Sequence, residues 1–190
     1  EADEQLLHER GYRQSKTLRV DGIVHQRQVI FVKPDFWILR DTVSGSGAHQ
    51  AEQVWHFYEG WVSLDAGGRS FRTDFPDANL FVCSVGENGV ESRLFEGSRD
   101  PLRGWHCPYY GRMRPAPELS YSQHGSERIV FHTLLFPIEG RPEAPPDFAI
   151  TPGGYRVSWQ GLIREIEAPE AGKWRIRQLV RVPGMPGKAF

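Results

Sequence analysis

Apolar and polar positions recur along this chain in short runs, with the period of extended chain rather than of helix. IVHQRQVIFV, FWILRDTV, HQAEQVWHFY, GWVSLDA, RSFRTDF, ANLFVCSV, VESRLFEG, PELSYSQ, RIVFHTLLFP, YRVSWQG, LIREIEA and KWRIRQLVRV are rich in Val, Ile, Phe, Trp, Tyr and Thr. Such residues suit a pleated, half-buried surface. The turn signals KPD, SGSG, AGG, GENG, PGG and EAGK separate them, at a spacing of about 8–12 residues that reads as an all-β antiparallel sandwich. Glycine (20) and proline (14) are plentiful enough to supply the turns. The one stretch with helix-like spacing is DEQLLHER at the start, expected as a short lead-in.

Two segments break the rhythm. Residues 98–117, SRDPLRGWHCPYYGRMRPAP, read as a loop dense in Arg, Tyr, Trp and Pro. Long loops with such chemistry often carry function; the plainer reading is an aromatic cover over one end of the sandwich. Residues 140–154, GRPEAPPDFAITPGG, read as a connection. Neither an internal repeat nor a low-complexity tract is present.

Size and charge narrow the classes. At 190 residues the chain suffices for one domain with a real core. With 23 basic and 24 acidic residues and a net charge of -1, it has no global field for nucleic acid or an anionic membrane. Cys83 and Cys107 are the only cysteines, so there is no disulfide framework and no CxxC metal motif; one bridge and two buried free thiols both fit. No apolar run approaches a membrane span. The start, EADEQLLHERGYRQ, is charged and lacks an initiator Met, so the chain is expected to begin inside a longer protein.

The stretch from His25 to Gly60 carries His25, Asp41, His49 and His56 on what read as three successive strands. A hairpin closing around Val32-Lys33-Pro34 would set His25 directly opposite Asp41, with Cβ atoms about 4.5–5.5 Å apart. A short SGSGA connection would then put His49 on the Asp41 face and His56 on the other. One bulge or a longer connection reverses that choice, so the third partner stays open. A set of two His and one Asp suits Zn²⁺ with a fourth position for water; a metal-free His–Asp hydrogen bond is the competing reading.

The motifs H-x-R-x-x-x-F-V-K-P-D-F-W-x-x-x-D from His25, then G-x-G-x-H and W-H-F, resemble the C-terminal β-sandwich region of the heparinase II/III family of polysaccharide lyases, which includes related alginate lyases. HERGYRQS upstream, RGWHCPYYGRMRPAPELSY and TLLFP downstream are similar to further elements of that family, so the likeness spans roughly residues 8–137. It implies a bacterial, periplasmic or extracellular parent enzyme that cleaves uronic-acid-containing polysaccharide by β-elimination. In that family the principal catalytic Asn, His and Tyr lie largely on an N-terminal α/α-toroid domain. Nothing here resembles the toroid, so no catalytic residue is assigned to this chain, and the toroid becomes an expected partner. The resemblance also implies a structural metal, often zinc, at His25, Asp41 and, by family position, His56. A catalytic-type His that some members carry two residues before the first metal-type His is replaced here by Ile23.

An acidic polysaccharide calls for cationic and stacking groups. Arg99, Arg103, Arg112 and Arg114 interleave with Trp105, Tyr109 and Tyr110; guanidinium forks bind carboxylate or sulfate, and aromatic faces stack on sugar rings. Arg103, Trp105, Tyr109, Tyr110 and Arg112 form the candidate substrate-binding set. Arg27 and Arg40 are expected as scaffold partners, and His106, His124 and His132 as ordinary loop or strand residues. There is no GxSxG elbow, phosphate loop, dinucleotide fingerprint or calcium loop. Two functions from different classes fit: an accessory β domain of a lyase that supplies a cleft wall, or a non-catalytic glycan-binding or structural sandwich.

Overall fold

The structure, a computed structural model, describes residues 4–7, 11–20, 22–65, 67–86, 89–141, 144–168 and 174–181. The expected turn EAGK, the middle of GENG and the start of HERGYRQS lie outside them. The described strands are β1 (Glu4–Leu7), β2 (Gly11–Val20), β3 (Ile23–Val32), β4 (Phe36–His56), β5 (Val62–Leu64), β6 (Ser70–Thr73), β7 (Ala78–Gly86), β8 (Glu91–Phe95), β9 (Ser98–Arg99) and β10 (Leu102–Arg103). They continue as β11 (Trp105–Tyr109), β12 (Arg112–Pro115), β13 (Glu118–Glu139), β14 (Asp147–Thr151), β15 (Gly154–Trp159), β16 (Leu162–Glu167) and β17 (Arg175–Arg181). Every pairing is antiparallel, so the all-β sandwich expectation holds. Where the lead-in is described it is not helical: Glu4–Leu7 is a strand paired with β2. Among the described residues no helix is long and apolar enough to cross a membrane.

The central sheet runs β1-β2-β3-β4-β13-β7-β6-β5. Its two middle strands differ from expectation. FWILRDTV and HQAEQVWHFY are one strand, β4, and PELSYSQ and RIVFHTLLFP are one strand, β13. The two stay paired from Glu118↔His56 to Leu135↔Trp37, with a register shift between Ser126 and Arg128. At that shift the ribbon bends and folds back over the sheet, as strands do where they switch layers. SGSG therefore marks a bend inside a strand, with Gly47 at φ 83° and Glu127 at φ 65°, rather than a hairpin turn.

Two apolar layers result. On one face Ile30, Val32, Phe36, Ile38, Leu134 and Phe136 pack against Phe148, Tyr155, Val157 and Ile166 of a second sheet, β14-β15-β16-β17. On the other, Ile129, Phe131, Val82 and Phe71 pack against Ala51, Leu119 and Tyr121 of the folded-back arm. Burying each such large side chain contributes roughly 1.5–3 kcal/mol.

Two expected connections also carry strands. Residues 98–117 form two small hairpins, β9–β10 and β11–β12, and β14 occupies part of 140–154. Cys83 and Cys107 are both free; Cys83 is buried but Cys107 is exposed.

Candidate functional site

The β3–β4 hairpin closes one residue later than expected. Val32 pairs with Phe36 and the Asp35 N–H donates to Val32 O. The loop is thus Lys33-Pro34-Asp35, and the register sets Arg27, not His25, opposite Asp41; His25 faces Val43. Side chains two apart on a strand share a face, so His25 still reaches the carboxylate diagonally.

Asp41 is 2% exposed and is the centre of a polar cluster inside the sandwich. Arg27 grips both oxygens, Nε to Oδ1 at 2.6 Å and Nη2 to Oδ2 at 3.0 Å. His25 Nε2 lies 2.8 Å from Oδ1, and Gln53 Nε2 donates to Oδ2 at 2.7 Å. Gln53 comes from the folded-back arm. Its carbonyl accepts from Thr133 Oγ1 at 2.9 Å and Trp55 Nε1 at 3.2 Å, and Ser84 Oγ lies 3.2 Å beyond Thr133 Oγ1.

His56 is not gathered with His25 and Asp41. It lies at the far end of β4, its Nδ1 3.5 Å from Glu118 Oε2. His49 sits at the bend, where its Nδ1 donates to Gly47 O. Among the described residues no three His, Cys, Asp or Glu side chains converge as a metal site. An ionised carboxylate has about four lone-pair sites, and the four hydrogen bonds on Asp41 use them. The residues present therefore do not fit the His25, Asp41 and His56 zinc site implied by the resemblance.

A second charged cluster fixes the 98–117 segment to the folded-back arm. Arg103 Nε donates to Glu118 and Nη1 to Glu52, while Ser120 Oγ also donates to Glu52. The Gly104 N–H completes the cradle of Glu118 at 3.0 Å, and the guanidinium lies 4.3 Å from the Phe95 ring centroid. Desolvation works to raise the Glu118 pKa, but the Gly104 N–H and Arg103 outweigh it and hold the carboxyl below its ordinary range. For Glu52 desolvation is likewise outweighed, by the Ser120 hydroxyl and Arg103. Trp105 is anchored too, its Nε1 donating to Ser98 O at 2.6 Å. Arg103 and Trp105 thus face inward structural partners rather than open solvent.

The β11–β12 hairpin presents the remaining candidates. Tyr109 is 70% exposed, Tyr110 fully so, and Arg112 and Met113 are exposed beside them. Arg114 and His106 are drawn to Glu59, at 3.4 and 3.3 Å, and Arg99 is exposed on β9. Sequence reasoning missed Tyr58, 65% exposed and edge-on to His106 with ring centroids 5.3 Å apart, and Trp61, 81% exposed. The signal was there in WHFYEGW, an aromatic run that continues past the end of a strand.

The fold and these sites can be set beside known proteins. A heparan sulfate lyase, HepC from Pedobacter heparinus, superimposes with a TM-score of 0.71 at 14% identity, over 94% of this chain and 27% of that one. The heparinase III gene product BT4657 gives 0.68 at 17% identity, over 95% and 28%, and another heparinase III gives 0.69 at 15% over 95% and 27%. The chain therefore spans little more than a quarter of these structures, and identities this low speak to the fold alone. No curated protein sequence matches. The family model described as heparinase II/III-like, C-terminal, matches residues 3–159, most of the chain, and on that match the chain belongs to the heparinase II/III-like C-terminal family.

Proposed function

We propose that this chain is the C-terminal β domain of a polysaccharide lyase acting on uronic-acid-containing polymer, and that its β11–β12 hairpin forms part of the wall along which the polymer lies. In the parent reaction a base takes the C5 proton of the uronate. The C–H electron pair becomes a C4–C5 double bond and the C4–O bond breaks, its oxygen leaving with a proton. The principal base and acid for that step belong to the α/α-toroid expected of the parent enzyme. The role of this chain is to bind and orient.

One observation carries the reading. Tyr109, Tyr110 and Arg112 stand exposed together at the tip of a hairpin whose base is pinned by Arg103, Glu118 and Trp105. A held platform with free aromatic faces loses little entropy when a sugar ring stacks on it, and an adjacent guanidinium supplies a fork for carboxylate or sulfate.

Calorimetric titration of the chain with heparan sulfate or polyuronate oligosaccharides tests this. Binding should weaken several-fold in Tyr110→Ala and in Arg112→Ala, and neutral dextran should not bind. Equal affinity in wild type and both variants would remove the hairpin from the site. The isolated chain should release no unsaturated uronate product; turnover would place catalytic groups on this chain and overturn the division of labour.

A further inference from the structure

We propose that the Asp41 constellation is a metal-independent clasp, in which the Arg27 guanidinium holds the place that a divalent cation takes in a His₂Asp site, and Gln53 ties the folded-back arm to the central sheet. The hydrogen-bond inventory supports this first. Asp41 receives Arg27 twice, His25 once and Gln53 once, all between 2.6 and 3.0 Å. An ionised carboxylate can only accept, so His25 Nε2 carries the proton in this contact. A nitrogen bearing that proton has no lone pair for a metal. The His25 Nε2 and both Asp41 oxygens are therefore committed to each other, to Arg27 and to Gln53.

Placement argues the same way. The side chain facing Asp41 across the fold is Gln53, an amide, while His56 pairs with Glu118 elsewhere. A small pocket of about 110 Å³ opens beside the cluster, with His25 and Arg27 on its wall. Their side chains are 35% and 41% exposed while that of Asp41 is 3% exposed. Asp41 lines this pocket too, so an ion there meets a carboxylate already held by the guanidinium. A planar fork on a carboxylate is a strong, geometrically specific pair, so a metal would have to displace a charge already well placed.

Direction of donation shows what the clasp does. With Thr133 donating to Gln53, the Ser84 hydroxyl donates to Thr133, and Gln53 donates to Asp41. The chain runs from β7 through β13 and the folded-back arm of β4 to the carboxylate on its other arm, and Arg27 and His25 add β3. Every dipole points toward the buried negative charge, an arrangement in which neighbouring bonds reinforce one another. The opposite face of the same arm carries Glu52, the partner of Arg103, so the clasp also sets the base of the β11–β12 hairpin.

The test separates clasp from metal site. The 190-residue chain, purified without chelator or added metal, should hold far less than one equivalent of any divalent ion. Its melting temperature should not move with added Zn²⁺ or with EDTA. One equivalent of metal, lost in His25→Ala, would overturn the proposal. Arg27→Ala with Gln53→His frees the carboxylate and supplies the missing imidazole. That double variant should take up one Zn²⁺ with a rise in melting temperature, abolished by adding His25→Ala. Gln53→His alone, with Arg27 still in place, should take up none. Zinc uptake by this single variant, or none by a folded double variant, would show that Arg27 is not what keeps the metal out. Should the double variant fail to fold, the wild-type metal analysis and the Gln53→His titration decide the matter.

Discussion

Two arginines that read alike in the sequence sit in opposite surroundings. Arg103 is locked between Glu118 and Glu52, and Glu118 is itself buried. Arg103→Ala leaves that carboxylate with only the Gly104 N–H and His56 and should cost about 3–5 kcal/mol, the penalty for stripping a buried charge of its partner. Arg112→Ala, exposed on its hairpin, should stay within about 0.5 kcal/mol of wild type and, on the proposed function, lose glycan affinity alone. Urea denaturation beside calorimetric titration distinguishes them. Nothing in RGWHCPYYGRMRP separates the two, because the partners of Arg103 come from β4 and β13. For the same reason Gln53 was not legible as part of the Asp41 site: it arrives only once the ribbon has folded back. His132 is a further residue whose meaning depends on packing. It lies opposite Arg40, its Nδ1 2.8 Å from Tyr155 Oη between the sheets. Burial, with Arg40 and Arg128 nearby, lowers its pKa from 6.5 to about 4, and burial raises Tyr155 to about 12. The neutral ring therefore contributes stability that is complete above pH 6.5 and is lost as pH falls toward 4, worth about 3 kcal/mol across the window. Thermal melts from pH 7 to pH 4 should show this slope, and His132→Gln should flatten it.

At the scale of elements, strand identity was legible for the long runs, though not for β1, β9–β12 or β14, and strand continuity was not. RIVFHTLLFP is apolar on both faces because β13 is covered on both sides, by the second sheet and by the arm; such a strand reads as a run rather than an alternation. SGSG looks like a hairpin turn because the residues that permit a tight turn also permit a bend, and only the persistence of β13 alongside tells them apart. Hairpin register failed for an equally local reason, since moving the loop by one residue moves the cross-strand partner of Asp41 by two. The 98–117 segment hangs on a similar close approach. Gly104 has φ 72°, and a Cβ there would fall 2.7 Å from the backbone of Phe95 and Glu96. The left-handed backbone alone costs a non-glycine residue roughly 1–2 kcal/mol, and the backbone clash adds to it. Gly104→Ala should therefore loosen β9–β12 from the arm, lowering the melting temperature and raising amide exchange at Trp105–Tyr109 while exchange in β7 and the sheet-facing half of β13 stays slow. Unchanged exchange in the hairpin would mean that the segment is not held through Gly104.

For the molecule as a whole, the family match and the folding unit do not share a boundary. The match ends at residue 159, at the close of β15, yet the second sheet continues through β16 and β17. Ile166 is 1% exposed in the same core cluster as Phe36, Leu134 and Phe136, and Trp174 and Ile176 pack against it. Trp174 also stacks on Tyr155, with ring centroids 6.0 Å apart. Ending the chain at residue 159 would leave β14–β15 as a two-stranded hairpin, marginal by itself, and uncover the apolar face of the central sheet. The fully buried Ile166 contributes roughly 1.5–3 kcal/mol, and the partly buried Trp174 and Ile176 add to it, a sizeable share of the roughly 5–15 kcal/mol that holds a typical domain folded. The His132–Tyr155 contact would lose the packing that keeps it dry. A chain of residues 1–159 should therefore bind a hydrophobic dye, melt without a cooperative transition and aggregate. One ending after β17, at residue 181, should melt cooperatively near the full chain. A cooperative transition in the 1–159 chain at the wild-type temperature would show that the central sheet and the folded-back arm are self-sufficient, and that the second sheet is an attachment rather than half of the core.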